Sequence, residues 1–104
     1  MFEESFKREL EREIIDYINA FSDFFHRDAM SDYEKVLRIE SIKDFWRGYL
    51  LGRIEIACTN LYSTKYGRIS THEEVGEIIG FVAGYSKLMK ERIDEKIDGM
   101  FGKP

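Results

Sequence analysis

Residues 71–98 read THEEVGEIIGFVAGYSKLMKERIDEKID. Gly76, Gly80 and Gly84 stand four apart in a segment otherwise rich in strong helix formers. Three architectures suit that pattern. The segment is one long helix with a flat small-residue face, or two helices bent at Gly80, or a pair of carboxylate-bearing segments that hold a metal. The fold and the function both turn on which applies.

The apolar residues favour the continuous helix. Val75, Ile78, Ile79, Val82, Tyr85, Met89, Ile93 and Ile97, with Met100 beyond, keep one stripe at three- and four-residue steps. A turn at Gly80 would have to preserve that phase by accident. Ser70 with Glu73 and Thr71 with Glu74 form overlapping capping boxes, so the helix is expected to begin near His72. It is expected to end at Gly99, leaving 99–104 as a frayed tail.

Three further helices are predicted on the N-terminal side. Over 2–27, Phe2, Phe6, Leu10, Ile14, Tyr17, Ile18, Phe21, Phe24 and Phe25 make one wide apolar stripe. Its five phenylalanines call for two packing neighbours or a second subunit. Residues 28–32 read as a connection, and Ser31 with Glu34 caps a short helix over 32–40. Ser41 with Asp44 is a weaker cap before a long run over 42–66, which Gly67 closes as a C-cap. Ile42, Phe45, Trp46, Tyr49, Leu50, Ile54, Ile56, Ala57 and Leu61 cover more than half of that helix, which places it centrally in the bundle. The expected fold is thus a single all-α domain over 1–104, a compact bundle of three long helices and one short one that self-associates as a homodimer.

Composition agrees with a helical domain. The chain has 104 residues, 43% of them hydrophobic and 14% aromatic, which excludes a disordered linker. Pro104 is its sole proline. No run approaches the length of a membrane span and no signal-like segment is seen, so a cytoplasmic protein with no membrane partner is expected. The absence of glutamine, with only Asn19 and Asn60 as asparagines, leans towards a thermophilic source. Cys58, the sole cysteine, falls in an apolar run and reads as a small core residue. Net charge is −4, made of −4 over 1–26, +2 over 27–68 and −2 over 69–104. That distribution lacks the basic stripe of a nucleic-acid binder.

Two sets of residues are expected to carry function. Arg53 and Asn60, seven apart, are predicted to run up the middle of the apolar face of 42–66 as a buried polar site. There Arg53 pairs with Glu13 or Asp16, or with an acid of another subunit, or receives an anionic ligand. The second set is the glycines. Gly48 and Gly52 on one helix and Gly76, Gly80 and Gly84 on the other each weaken their helices, so a close crossing or subunit interface is predicted to require them. On that reading Gly80→Leu sharply destabilises the fold or its assembly.

Two family resemblances bear on the same stretch. Thr71-His72-Glu73-Glu74-Val75-Gly76, with Gly80 as the turn, resembles the opening of helix-turn-helix regulators. The resemblance covers 71–91 and implies DNA binding. It departs from the motif at Ser86, where a buried aliphatic belongs, and at Val82, Ala83 and Gly84, which offer base edges no hydrogen bonds. Only Lys87 and Lys90 would touch DNA usefully. Glu73-Glu74-x-x-Glu77 followed by Glu91-x-x-Asp94 resembles the acidic signature of the MazG-like all-α nucleotide pyrophosphohydrolases, which implies magnesium held against a triphosphate. That family places its acids on separate facing helices, and turn residues are missing here.

Catalytic machinery is otherwise not evident. Asp23-x-x-His26 lacks the second motif a di-iron bundle needs, His72 has no partner, and no phosphate loop or activated nucleophile is present. No catalytic, cofactor or metal residue is assigned. The expectation is a small non-enzymatic regulator, adaptor or inhibitor of the kind common in phage and mobile-element genomes, acting on a protein partner of unknown identity.

Overall fold

Steps of four organise the core. The computed structural model describes residues 2–20 and 35–101. Within them lie four helices: α1 (Glu4–Ala20), α2 (Ile42–Tyr66), α3 (His72–Ala83) and α4 (Ser86–Phe101), with no strand. Phe6, Leu10, Ile14 and Ile18 are buried on α1, and Trp46, Leu50, Ile54, Cys58 and Tyr62 on α2. Residues four apart stack on one face of a helix, so each row is a ridge that fits the groove of a neighbour.

The middle helix is α2. Its 25 residues extend about 37 Å at the standard rise, most of the 43 Å length of the molecule. It packs against α1, α3 and α4 alike. Lys65 Nζ meets Glu9 Oε2 at 2.9 Å, so α1 runs antiparallel to it. Lys43 and Arg47 meet Asp98 and Asp94 at 2.8 and 2.7 Å, so the α3–α4 path is antiparallel too. Ser41 accepts from the Asp44 N–H to start α2, and Gly67 ends it at φ 67°, donating its N–H to Ser63 O. That left-handed conformation costs a residue with a Cβ about 1 kcal/mol, which is why glycine suits this stop.

The stretch 72–101 is a helical path interrupted once. The single continuous helix expected over 72–98 is therefore two, divided at Gly84–Tyr85, while Gly80 lies in the interior of α3. At the break the Gly84 N–H reaches Phe81 O at 3.2 Å and the Tyr85 N–H reaches Val82 O at 2.9 Å, the i→i−3 pattern of a tightened turn. No residue in this stretch is left-handed. The break leaves the core row in register. Continuing the row Ile78, Val82 by fours would face Ser86, Lys90, Asp94 and Asp98 to the core. Instead the row steps seven residues, from Val82 to Met89, and resumes with Ile93 and Ile97. A step of seven turns the face back where a step of four carries it onward, and so holds the row against α2.

Other expectations change in detail. The final helix does not stop at Gly99 but continues to Phe101. Thr71 and Glu74 form the capping box alone, and Ser70 Oγ is buried without a hydrogen bond among the described residues. The short helix expected over 32–40 is described only from 35, and its helical residues 35–37 give way at Arg38, φ 52°. The Ser31 cap, the Asp23/His26 pair and the last phenylalanines of the first stripe lie outside the described residues.

Candidate interaction surface

The polar groups between helices form ties. At the α2–α3 corner, Arg68 donates to both carboxylate oxygens of Glu74, at 2.8 and 2.7 Å, and to the Tyr62 hydroxyl at 2.6 Å. Tyr62 in turn donates to Glu74 Oε2, and the Thr71 N–H donates to Glu74 Oε1 at 2.9 Å. Around this corner Phe2, Phe6, Tyr62 and Tyr66 stack with centroids 4.6 to 5.9 Å apart. At the far end of α2, Arg47 holds Asp94 through both carboxylate oxygens and Asp44 through another nitrogen. The hydrogen bond to Asp94 raises the Arg47 pKa further, so its charge is fixed.

These ties occupy two of the five acids that the pyrophosphohydrolase resemblance requires. Glu74 belongs to Arg68 and Asp94 to Arg47. Among the described residues, no three His, Cys, Asp or Glu side chains gather closely enough to hold a metal ion. The helix-turn-helix resemblance loses its turn, because Gly80 is helical and Val82 and Ala83 close α3 instead of opening a second helix. Cys58 is fully buried. Burial, aided by Glu13 and Glu55, pushes its thiol up to about 12, which leaves no thiolate at neutral pH.

Arg53 and Asn60 do not form a buried polar site, because both are exposed. Arg53 donates to the Tyr49 hydroxyl at 3.1 Å and lies 5.6 Å from that ring's centre. The physical reason is the direction of the core row. Tyr49 and Ile56, which drew the expected apolar face towards Arg53, are themselves 37% and 64% exposed. Without them the face centres on Leu50, Ile54 and Cys58, a quarter-turn away.

The glycine crossing is likewise not made within the chain. A Cβ placed on Gly48, Gly52, Gly76 or Gly80 would meet no atom within 4 Å, while one on Gly84 would meet its own helix at Phe81 O, 3.2 Å away. Gly84 therefore serves the local break. The other four answer to nothing in the described residues, and the stability expected to be lost from the fold in Gly80→Leu has no contact behind it.

One of them floors a groove. Between the first half of α2 and the start of α4 is a hollow of about 390 Å³, with Gly48, Leu51 and Met89 beneath and Ser86, Lys87 and Lys90 along the α4 side. Arg47 also lines it, already bound to its acids. Lys87 and Lys90 make no ion pair with any described residue, unlike the lysines at 7, 43 and 65. Read along the chain, Lys87 and Lys90 have a role only in touching DNA, and Leu51 falls off the apolar stripe. The one available signal was an aliphatic residue beside an unexplained helix glycine.

No family model, curated protein or solved structure matches the chain. What fold and surface define is a class: an all-α bundle whose described helices include none long and apolar enough to cross a membrane.

Proposed function

We propose that this chain is a small non-enzymatic interaction protein, a regulator, adaptor or inhibitor that acts through a helical surface. The observation that carries the reading is the set of helix glycines facing open space. Glycine within a helix weakens it by up to about 1 kcal/mol relative to alanine. Gly48, Gly76 and Gly80 are exposed, and large apolar side chains stand beside them, Leu51 at 36% and Ile79 at 43% exposure. A flat, weakened, partly apolar helix surface suits close approach by another helix. The convergent polar groups are better explained as ties than as chemistry.

Self-association belongs to the same reading, with the open Gly76, Gly80 and Ile79 of α3 as the place where two copies would pair. Light scattering on the eluted protein tests it: a homodimer shows twice the 12.3 kDa chain mass, and a clean monomer at micromolar concentration removes the dimer. Affinity capture from the native host tests the larger reading. A salt-sensitive gel shift with duplex DNA would replace it with the DNA-binding regulator of residues 71–91. Magnesium-dependent release of pyrophosphate from nucleotides would replace it with the hydrolase.

A further inference from the structure

The groove between α2 and α4 combines three features that the fold itself does not need. Its floor is opened by Gly48, a helical position with room for a side chain. An aliphatic side chain, Leu51, borders it 36% exposed, beside the buried Met89. Its wall carries Lys87 and Lys90, one turn apart and without ion partners among the described residues. Lys87 also falls in the first turn of α4, which contains no acid, so it opposes the helix dipole there. A leucine at 48, or an acid at 87, would serve the isolated bundle better.

We infer that this groove receives an acidic amphipathic helix of a partner protein, with one apolar side chain entering over Gly48 and carboxylates within a turn of it meeting Lys87 and Lys90. The inference rests on the interaction-protein reading and names the chemistry of the partner. A groove bounded by two helices, with an apolar floor and charge on one wall, is the geometry that accepts a helix through a few anchors. Lysines three apart on α4 match carboxylates three or four apart on a facing helix. A hollow of about 390 Å³ accommodates a side chain of leucine or phenylalanine size.

A second copy fits this face poorly. The row that would centre an α4–α4 pairing is Lys87, Glu91, Asp94 and Asp98, charged throughout. Asp94 and Asp98 are already held by Arg47 and Lys43. Nucleic acid fits no better, because two free lysines beside Glu91 on a chain of net charge −4 offer few phosphate contacts.

The test is selection from a display library of random helix-length peptides against the full chain, followed by affinity measurement on three variants. The expected consensus has one large apolar residue with Asp or Glu three or four positions away. Its binding should weaken by about tenfold or more in K87E/K90E and in G48L, survive in K87R/K90R, and fall with added salt. G48L is expected to melt no lower than the parent, which separates filling of the groove from loss of fold. No enrichment, a consensus without acids, or binding indifferent to G48L would overturn the inference. Peptides that bind elsewhere would do so while leaving the interaction-protein reading intact. A dimer dissolved by both G48L and K87E/K90E would assign the groove to a second copy instead.

Discussion

Both ends of α2 are tied by ion pairs, yet they differ in how the space beside them is filled. Around Tyr62, four aromatic rings interlock and the phenol, guanidinium and carboxylate of Tyr62, Arg68 and Glu74 satisfy one another. Around Gly48, the helix carries no side chain where there is room for one, and Lys87 and Lys90 across the groove make no ion pair with any described residue. The closed end shows what this chain does to hold itself together. The open end shows choices that its own folding does not reward, and those are the ones a binding surface would explain.

The largest expected effect lies in the row joining the two ends. Ile54 is fully buried midway along α2. Ile54→Ala should lower unfolding free energy by about 2–5 kcal/mol through lost burial and a residual cavity, read as a shift in the urea midpoint. Ile56, two residues on and 64% exposed, is the control. Ile56→Ala should change the midpoint little, and equal effects at 54 and 56 would break the distinction between core row and open face. Cys58, on the same row, gives a pH test. Burial pushes its folded thiol up to about 12 from an ordinary value of 9.0. The folded state therefore keeps its proton where the unfolded state has lost it. Stability from this group is fully present below pH 9 and declines as pH rises from there. Cys58→Ala should flatten part of that decline, and thiol labelling of the native protein at pH 8 should be slow until denaturant is added.

Next in size is the closed corner. Glu74→Ala removes the acceptor from Tyr62 and Arg68 together with half of the Thr71 capping box. Tyr62 is 3% exposed, so its hydroxyl would be left largely dry. A loss of about 2 kcal/mol is expected from the unmet donor and the weakened cap. Lys90→Ala at the open end should leave thermal stability within about 0.5 kcal/mol of the parent, as for any surface residue without a partner. A Lys90 variant as damaging as the Glu74 variant would show that the groove wall is structural after all.

How far the sequence anticipated this contrast follows from which forces act locally. The caps at Ser41, Thr71 and Gly67 depend on residues three or four apart, so their chemistry is readable along the chain. The rows of buried residues on α1 and α2 are readable as rows. Their direction is not, because Tyr49 and Ile56 look as apolar as Leu50 and Ile54, and only the neighbours decide which face turns inward. That ambiguity carried Arg53 and Asn60 into an imagined core. The break at Gly84–Tyr85 left no trace in the apolar pattern, because Val82, Tyr85 and Met89 keep the phase of a continuous helix across it. The groove left almost none, since Gly48, Leu51, Lys87 and Lys90 come together only when α4 lies antiparallel along α2.

Glycine substitutions give the smallest effects and the most direct comparison of the ends. Gly67 stands at φ 67°, and Gly67→Ala should cost about 1 kcal/mol by forcing a Cβ into the left-handed region. Gly48 is helical with empty space before its Cβ position. Gly48→Ala should therefore stabilise the isolated chain by up to about 1 kcal/mol, raising the melting temperature by several degrees. Opposite signs from the same chemical change would separate a glycine required by the backbone from one that the fold does not need. If Gly48→Ala instead destabilises, space in front of residue 48 is filled in solution, and the mass of the protein by light scattering then decides the occupant. A dimer would place a second copy there, and a monomer would place a segment of the chain's own there.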